Sequence, residues 1–304
     1  MTGSSPFTSR PAPVRDNTLP AVLPFTKMQG LGNDYVYVEE FDAPLINPTP
    51  LAIAISDRHF GVGGDGLVLM GHSEAADFRM RIFNADGSEA EMCGNATRCV
   101  GKYLFEKGFT REKELTLETL AGIRVLTLHT SHGPSGERVD KVRVAMGEPG
   151  LRPVDIPMKA EGDSFIDKEI MINGRRIRGT AVSMGNPHFV VHMPGLVDLD
   201  LQQIGPFYEH HPLFPRRVNT EFIDILDRDR IRMRVWERGA GETLACGTGA
   251  CAAVVACVLN KYTDRKVVVE LRGGELEIEW ADDGVVYKTG SAAFVFSGEY
   301  IVGS

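Results

Sequence analysis

The strongest constraint on the fold is an internal repeat: the sequence matches itself when shifted by 153 residues, the separation of Cys93 and Cys246 (246 minus 93). With that shift, residues 78–83 fall on 231–236, and Cys93-Gly94 falls on Cys246-Gly247. Six of the 18 positions from 78 to 95 are identical, where average composition predicts about one. The repeat therefore predicts two copies of one structural unit, related by a pseudo-twofold axis.

Each copy has the same order of elements: an alternating strand, a polar turn with glycine, a Cys-Gly pair and a helix. We predict the first helix at about Asn95–Lys107, with Gly108 as its C-cap, and the second at about Thr248–Lys261. The second is nearly all Ala, Val, Cys and Leu, which is typical of a helix buried on every side. Residue patterns elsewhere predict a short helix at 50–57 and strands at 115–120, 123–129, 139–146, 179–184, 189–193, 267–271, 275–280, 285–288 and 292–296.

These elements predict an α+β fold with two sheet-rich domains, each wrapped around one helix. We place the N-terminal domain at 25–147, with a last segment at about 292–304 crossing back to complete it, and the C-terminal domain at 148–291. Gly and Pro cluster near the first boundary. Residues 1–24 are rich in Pro, Ser and Thr and lack the apolar core of a secretory signal, so they are interpreted as a flexible extension.

Composition excludes several classes of function. The chain has 304 residues, 43% hydrophobic and 24% charged, which is ordinary for a globular protein of about two domains. A formal net charge of −8 with no basic block makes it a poor partner for nucleic acid or anionic lipid, and no apolar segment is long enough to span a membrane. The five cysteines form no Cys-x-x-Cys pair, and their odd number indicates a reducing, cytoplasmic compartment.

The two Cys-Gly pairs place thiols at the N-termini of the two predicted core helices. Free N–H groups and the positive end of the helix dipole lower a thiol pKa and bind anions. The pseudo-twofold axis would make Cys93 and Cys246 face each other across one cleft. One thiolate would remove a proton from a substrate carbon, and the opposite thiol would return one, which predicts a two-base racemase without an electron-sink cofactor. The alternative is that both are structural, as we interpret Cys99, Cys251 and Cys257.

Two other patterns are weaker. The histidines have no spacing that combines with cysteine or carboxylate as a zinc site, so no metal is predicted. The glycine-rich segment 61–66 lacks the Gly-Lys-Ser/Thr ending of a phosphate-binding loop, and it is interpreted as a tight structural loop.

An ordered set of motifs, from about residue 25 to the C-terminus, resembles the diaminopimelate epimerase family. The motifs are Gly30–Asp34, Asn84–Glu89, Met92–Cys99, Gly185–His188, Val218–Glu221, Glu237–Thr243 and Ala245–Ala250. One Cys-Gly pair would be a weak signal, whereas the ordered set is specific. Ala96 and Gly66 depart from the pattern of many relatives, and no binding role is assigned to Gly66.

The resemblance implies two similar barrel-like domains with the active site between them. It implies interconversion of LL- and meso-diaminopimelate in lysine and peptidoglycan precursor biosynthesis, with no pyridoxal phosphate or other cofactor, no metal, and a homodimer. The bound partner would be a small diamino dicarboxylic acid. Cys93 and Cys246 would be the two acid/bases, with His188 and Glu237 adjusting their pKa values. The implied substrate contacts are Asn33, Asn84, Gly94, Asn95, Asn186, Asn219, Glu237, Arg238, Gly247 and Thr248.

Two alternatives stay open. Another cofactor-free amino-acid racemase of the same architecture, acting on proline, hydroxyproline or histidine, would share the cysteine pair. Proline-type relatives would be expected to carry His where this chain has Asn95, whereas histidine is harder to exclude. A catalytically silent ligand-binding protein of this fold would be expected to have lost a cysteine, and both cysteines are present.

Overall fold

The computed structural model describes residues 21–134 and 136–303, within which it has eighteen strands, four α-helices and two short 3₁₀ helices, Pro153–Asp155 and Leu196–Asp198. The helices are α1 (Thr49–Ser56), α2 (Gly94–Glu106), α3 (Leu201–Glu209) and α4 (Gly247–Leu259). The first half contains β1 (Val22–Gly30), β2 (Asn33–Glu39), β3 (Gly66–Gly71), β4 (Phe78–Asn84), β5 (Glu89–Ala90), β6 (Glu114–Thr119), β7 (Gly122–Gly133) and β8 (Gly136–Gly147). The second half contains β9 (Lys168–Ile172), β10 (Arg175–Ser183), β11 (Pro187–His192), β12 (Asn219–Asp227), β13 (Arg230–Glu237), β14 (Gly241–Glu242), β15 (Lys266–Leu271), β16 (Gly274–Trp280) and β17 (Val286–Gly290), and β18 (Ala293–Ile301) follows it.

The two halves repeat one topology. An antiparallel hairpin (β1–β2, β10–β11) leads through a short helix into a parallel strand (β3, β12) and then an antiparallel neighbour (β4, β13). A central helix follows, then a strand parallel to that neighbour and two antiparallel strands (β6–β8, β15–β17). α2 and α4 begin 153 residues apart (247 minus 94), the offset of the sequence repeat.

Each central helix packs against the strands of its own half. α2 contacts β1, β2, β7 and β8, while α4 contacts β10 to β13, β16 and β17. Every residue of α4 from Gly249 to Cys257 is buried, which confirms the prediction of a helix apolar on all sides. The α+β class, with two pseudo-symmetric barrel-like halves around central helices, is thereby confirmed.

Two pairings tie the halves together. β8 pairs antiparallel with β17, so the sheet continues from one half into the other. β18 crosses back to pair antiparallel with β1, from Val22 opposite Ile301 to Gln29 opposite Ala293. In the second half, β9 takes the equivalent place beside β10. The strand at the end of the chain therefore completes the half that begins it.

Sequence and structure differ mainly at the N-terminus. Residues 1–20 lie outside the described residues, but the flexible extension proposed for 1–24 is wrong for Val22–Pro24, which begin β1 and pair with β18. The cause is burial: Leu23 and Phe25 pack into an apolar cluster under α1 that the sequence pattern did not reveal. The sequence also left β1, β2, β3, β5, β9, β12, β14 and α3 unpredicted, whereas α2 and α4 begin within one residue of their predicted starts.

Candidate active site

The two cysteines occupy equivalent places at the starts of the central helices. Cys93 is the N-cap of α2 and Cys246 the N-cap of α4, both in extended conformation (φ −129°, ψ 113° and φ −115°, ψ 112°). Neither thiol makes the side-chain hydrogen bond that an N-cap residue usually gives its helix. The N–H groups of the first two residues of each helix therefore stay available to a ligand.

The two helix N-termini converge on one point. Gly94 and Gly247 are the first residues of α2 and α4, and a Cβ built on either would overlap the ammonium group of Lys288 on β17. The loop before β2 also reaches the other half: a Cβ at Gly32 would lie 2.8 Å from Leu244 Cδ1, two residues before Cys246. The structure thus brings together the two Cys-Gly pairs that the sequence placed 153 residues apart.

The N-terminal half of the site is built from amides. Cys93 is half-buried, and its Sγ donates to Asn33 Oδ1 at 3.3 Å. Asn95 Nδ2 donates to the same oxygen at 3.4 Å. The Tyr35 hydroxyl also lies against Cys93, and that neighbouring thiol, together with burial, raises the pKa of Tyr35. Asn33, Asn95 and Cys93 therefore lie together, as the resemblance implies.

A charged network holds Asn33 in place. Asn33 Nδ2 donates to Asp65 Oδ2 at 2.5 Å, and Arg58 bridges Asp65 and Asp34 at 2.9 and 2.8 Å. Lys27 pairs with Asp34 at 2.7 Å and also donates to the Gly63 carbonyl. The 61–66 segment lies in this network, where it closes the C-terminal end of α1 through Gly63 N–H to Ile55 O at 3.0 Å. Its part in the site is to support Asn33, consistent with a structural loop.

The C-terminal half of the site is drier and more acidic. Cys246 is 6% exposed, and its Sγ lies 3.6 Å from Thr248 Oγ1. Burial and the nearby carboxylates of Glu237 and Glu221 raise the pKa of Cys246 well above its usual range, while Thr248 and the Gly249 N–H oppose the shift. The surroundings of Cys246 therefore favour the neutral thiol.

A chain of side chains leads from a buried carboxylate to Thr248. His188 is fully buried, with Nδ1 2.7 Å from Glu221 Oε1 and Nε2 2.9 Å from Asn186 Oδ1. Asn186 Nδ2 in turn donates to Thr248 Oγ1 at 3.4 Å. With Asn186 oriented in this way, both ring nitrogens of His188 face oxygen acceptors. The hydrogen-bonded chain thus connects the buried Glu221 to Thr248, next to Cys246.

Glu237 also lies beside Cys246. Thr243 Oγ1 donates to Glu237 Oε1, and burial raises the pKa of Glu237, an effect that hydrogen bonds from Thr243 and Cys246 and the charge of His188 oppose. The structure thus places His188 and Glu237 around one thiol, Cys246, rather than one beside each thiol.

Of the residues expected to hold the far end of a substrate, Asn219 and Arg238 lie together, whereas Asn84, in the described part of the chain, makes no hydrogen bond to either. Asn219 is buried, donates to Pro187 O at 2.9 Å and accepts from the Arg238 N–H at 2.9 Å, so its amide fixes the turn that carries Arg238. The exposed Arg238 guanidinium donates to Arg216 O at 3.3 Å. Asn84 bonds within its own turn, to Ser88 Oγ at 2.9 Å, and within the described residues it makes no hydrogen bond to the other candidates.

Three residues near the thiols were not assigned a role from the sequence: Tyr35, Glu221 and Lys288. Lys288 had a usable signal in strand alternation, because it lies two residues after the buried Val286 on β17. Glu221 lies two residues after Asn219 on β12, but that strand is buried on both faces from Asn219 to Ile223 and shows no alternation. Tyr35 stands where the repeat places His188 (35 plus 153), so the offset itself points to it.

Other predictions concern the rest of the molecule. Cys99, Cys251 and Cys257 are fully buried, as interpreted from their apolar surroundings. No group of three or more His, Cys, Asp or Glu side chains suited to a metal ion occurs in the part of the chain that the structure describes. Among the described helices, none is long and apolar enough to cross a membrane.

Solved structures share this fold at low sequence identity. A phenazine biosynthesis protein of the PhzF family from Bacillus anthracis matches with a TM-score of 0.64 at 18% identity, over 91% of this chain and 98% of that chain. A hydroxyproline epimerase from Agrobacterium vitis with bound trans-4-hydroxy-L-proline matches with a TM-score of 0.64 at 15% identity, over 93% of this chain and 94% of that chain. The fold is therefore the two-domain fold of this group, which includes amino-acid epimerases.

Sequence comparison identifies the family within that group. The family model for diaminopimelate epimerase matches residues 25–151 and 180–295. A diaminopimelate epimerase from Desulfovibrio desulfuricans is 55% identical over 287 residues, covering 92% of this chain and 99% of that relative. One from Acetivibrio thermocellus is 54% identical over 276 residues, covering 90% and 97%. The chain belongs to the diaminopimelate epimerase family, and it is an isomerase of the racemase and epimerase class.

Proposed function

We propose that the protein interconverts LL- and meso-diaminopimelate by two-base epimerisation, with Cys93 and Cys246 as the acid/bases. The observation that carries the proposal is the convergence of the two Cys-Gly helix N-termini on one point, in a member of this family. The product would serve lysine and peptidoglycan precursor biosynthesis in the cytoplasm.

The chemistry needs one proton removed and one returned. In one direction the Cys93 thiolate takes the α-proton and becomes a thiol, while the Cys246 thiol gives its proton to the opposite face and becomes a thiolate. The carbon keeps its three other substituents, so its configuration inverts and no electrons leave the substrate. The reverse direction exchanges the roles. The raised pKa of Cys246 supports its role as the proton donor in the first direction.

The charge on the substrate would be held at both of its ends. N–H groups at Gly94, Asn95, Gly247 and Thr248 would bind the α-carboxylate and stabilise the charge that forms as the proton leaves. Arg238, whose guanidinium is exposed and makes no ion pair with the described carboxylates, would bind the distal carboxylate. Asn33 and Asn186 would orient the reacting end, and Asn84 and Asn219 would frame the distal one.

The proposal uses no cofactor or metal, because the thiols and helix N-termini supply the proton transfer and the charge stabilisation. We also propose a homodimer. Apolar side chains exposed on β18, with Val295 54%, Phe296 49% and Ile301 61% exposed, support a second protein surface there. Light scattering after size-exclusion chromatography measures the mass directly, and a mass of one chain at micromolar concentration would contradict the homodimer.

The function is tested by proton NMR in D₂O with purified, reduced protein and no pyridoxal phosphate. LL-diaminopimelate is the substrate, with proline and histidine as parallel samples. We expect the α-proton signal to fall and the meso isomer to form in the first sample only. Exchange of the α-proton with proline or histidine only would support the two-base chemistry and show that the substrate is a different amino acid. No exchange in any sample, with both thiols titrated as reduced, would contradict the proposal and favour a ligand-binding role.

A further inference from the structure

Lys288 is a buried cation with no hydrogen-bond partner among the described residues. Its side chain is 0% exposed, and its Nζ neither donates to an acceptor nor forms an ion pair with a described carboxylate. Its neighbours across the sheet are apolar, with Val144 on β8 and Ile278 on β16 in register with it. A charge in such a place is costly unless it is paired.

The ammonium group lies at the meeting point of the two central helices. A Cβ at Gly94 would overlap Lys288 Nζ and lie 3.1 Å from its Cε, and a Cβ at Gly247 would overlap Nζ and lie 3.4 Å from its Cδ. Both Cys-Gly pairs therefore have glycine where the side chain of Lys288 takes the space. One lysine thus borders two helix N-termini that are equivalent by the repeat.

The charged and titratable groups around Lys288 favour the binding of an anion beside it. Arg98 of α2 repels it, whereas Cys251 of α4 and the thiols Cys93 and Cys246 would attract it when ionised. Burial and Arg98 lower the pKa of Lys288 to about 8. Arg98 itself is fully buried, donates through Nη1 to Gly94 O at 3.2 Å, and has an Nη2 without a partner in the described residues. The Lys288 ammonium and two helix N-termini face the same place, and a second buried cation, Arg98, lies close enough to act on it, which is an anion-attracting arrangement.

We propose that Lys288 is the counter-charge for an anion held between the N-termini of α2 and α4, and that it acts on this anion across Gly94 and Gly247. Where the proposed function holds, the anion is the carboxylate at the reacting end of the substrate, together with the thiolate beside it. Lys288 is then a positioning residue of the reaction. Its charge favours the extra negative charge that develops on the substrate when the α-proton leaves.

The first test measures the anion preference of the site without any turnover. Cys93, the half-buried thiol, is alkylated with iodoacetate and with iodoacetamide, and the ratio of the two rates is taken by mass spectrometry of its peptide. This ratio cancels the thiolate fraction, so it reports the local charge. We compare the wild type with Lys288→Met, and with Lys266→Met, an exposed lysine paired with Glu277 at 3.2 Å. Lys288→Met should lower the ratio about tenfold, and Lys266→Met should leave it unchanged; an unchanged ratio in Lys288→Met overturns the proposal.

The second test measures turnover. In Lys288→Met we expect kcat to fall about 100-fold with a smaller rise in KM, since the charge stabilises the transition state more than the bound substrate. Lys288→Arg, which keeps the charge, should recover part of kcat. A merely structural lysine would change the amount of folded protein and leave kcat per folded molecule unaltered, and that result contradicts the proposal.

The wild type provides a check should the Lys288 variants fail to fold. As pH rises from 7 to 10, Lys288 loses its proton, and the iodoacetate preference of Cys93 should fall; a flat ratio over this range would overturn the proposal. The two proposals fail separately. If the wild type does not epimerise diaminopimelate but Lys288→Met lowers the alkylation ratio, the proposed substrate is rejected and the anion site is retained. If the wild type epimerises diaminopimelate but Lys288→Met leaves the ratio unchanged, the role of Lys288 is rejected and the proposed function is retained.

Discussion

The two halves of the site share a backbone and differ in charge. Cys93 and Cys246 are both extended N-cap residues of thirteen-residue helices, yet Cys93 is half-buried among amides, while Cys246 is 6% exposed and flanked by two carboxylates. The repeat thus sets where the thiols stand, and the residues that differ between the copies set the electrostatic surroundings of each thiol. A symmetric scaffold can in this way hold two thiols in unlike surroundings.

The comparison between the two halves of the site is tested most strongly by removing each thiol in turn. Cys93→Ala and Cys246→Ala should each lower the rate of α-proton inversion about 10³-fold or more, because each removes one of two required proton-transfer groups. Any residual exchange of the α-proton should occur with one epimer in the first variant and with the other epimer in the second, since the two thiols are proposed to act on opposite faces of the α-carbon. NMR in D₂O measures both quantities. Cys257→Ala, a buried cysteine outside the site, is the control and should keep the wild-type kcat. Inversion that survives in either site variant would contradict the two-base assignment.

The next largest effect concerns the positions that the repeat makes equivalent, Tyr35 and His188. His188→Phe leaves the buried Glu221 carboxylate without its partner, and it should lower the free energy of unfolding by about 3–5 kcal/mol. Tyr35→Phe removes one hydroxyl and should cost about 1 kcal/mol. Urea denaturation followed by fluorescence measures both. Equal costs would show that the contact between Glu221 and His188 stabilises the fold no more than one ordinary hydrogen bond.

The charge difference itself is tested at Glu237. Glu237→Gln removes a negative charge beside Cys246, which eases ionisation of that thiol, so its pKa should fall. The pH profile for alkylation of Cys246 should move to lower pH, with roughly tenfold faster reaction below the wild-type pKa. Cys93 in the same molecules is the internal control. A profile that moves for both thiols alike, or for neither, would contradict a local effect of Glu237.

The smallest effect is expected from the charged network that holds Asn33 in the N-terminal half of the site. Arg58 is 56% exposed and pairs with Asp34 and Asp65, so Arg58→Ala should cost less than about 1 kcal/mol at neutral pH. Hydrogen bonds and charge from Arg58 and Lys27 outweigh burial and lower the pKa of Asp34. The stability that this carboxylate contributes is therefore present above its unfolded pKa and is lost as pH falls through its lower, folded value. The free energies of unfolding of the wild type and of Arg58→Ala should therefore differ less at pH 3 than at pH 7.

Much of this molecule could be read from its sequence because the repeat carries long-range information. The offset located both helices and both thiols, and the motif order gave the family before any geometry was known. β1 and β2 escaped prediction because their residues are buried on both faces, as in Tyr35–Val38, so they show no alternation of apolar and polar residues.

The charges of the site were harder to predict. Glu221 and Lys288 are of residue types that ordinarily lie on the surface, and both are buried here by the packing of other elements over them. That two carboxylates stand beside Cys246, and that one lysine borders both Cys-Gly pairs, depends on contacts between segments far apart in the chain. Alternation could place Lys288 on an inner face, but it could not say what its side chain would meet there.

The pairing of β18 with β1 has a consequence for how the protein is made. During synthesis, β1 emerges from the ribosome with one edge unpaired, and β18, the strand that covers this edge, is made only after the whole second half. An exposed edge recruits other strands, so the interval between the two is the stage most open to aggregation and to chaperone binding. The emergence of β18, rather than completion of either half alone, is then the event that covers β1.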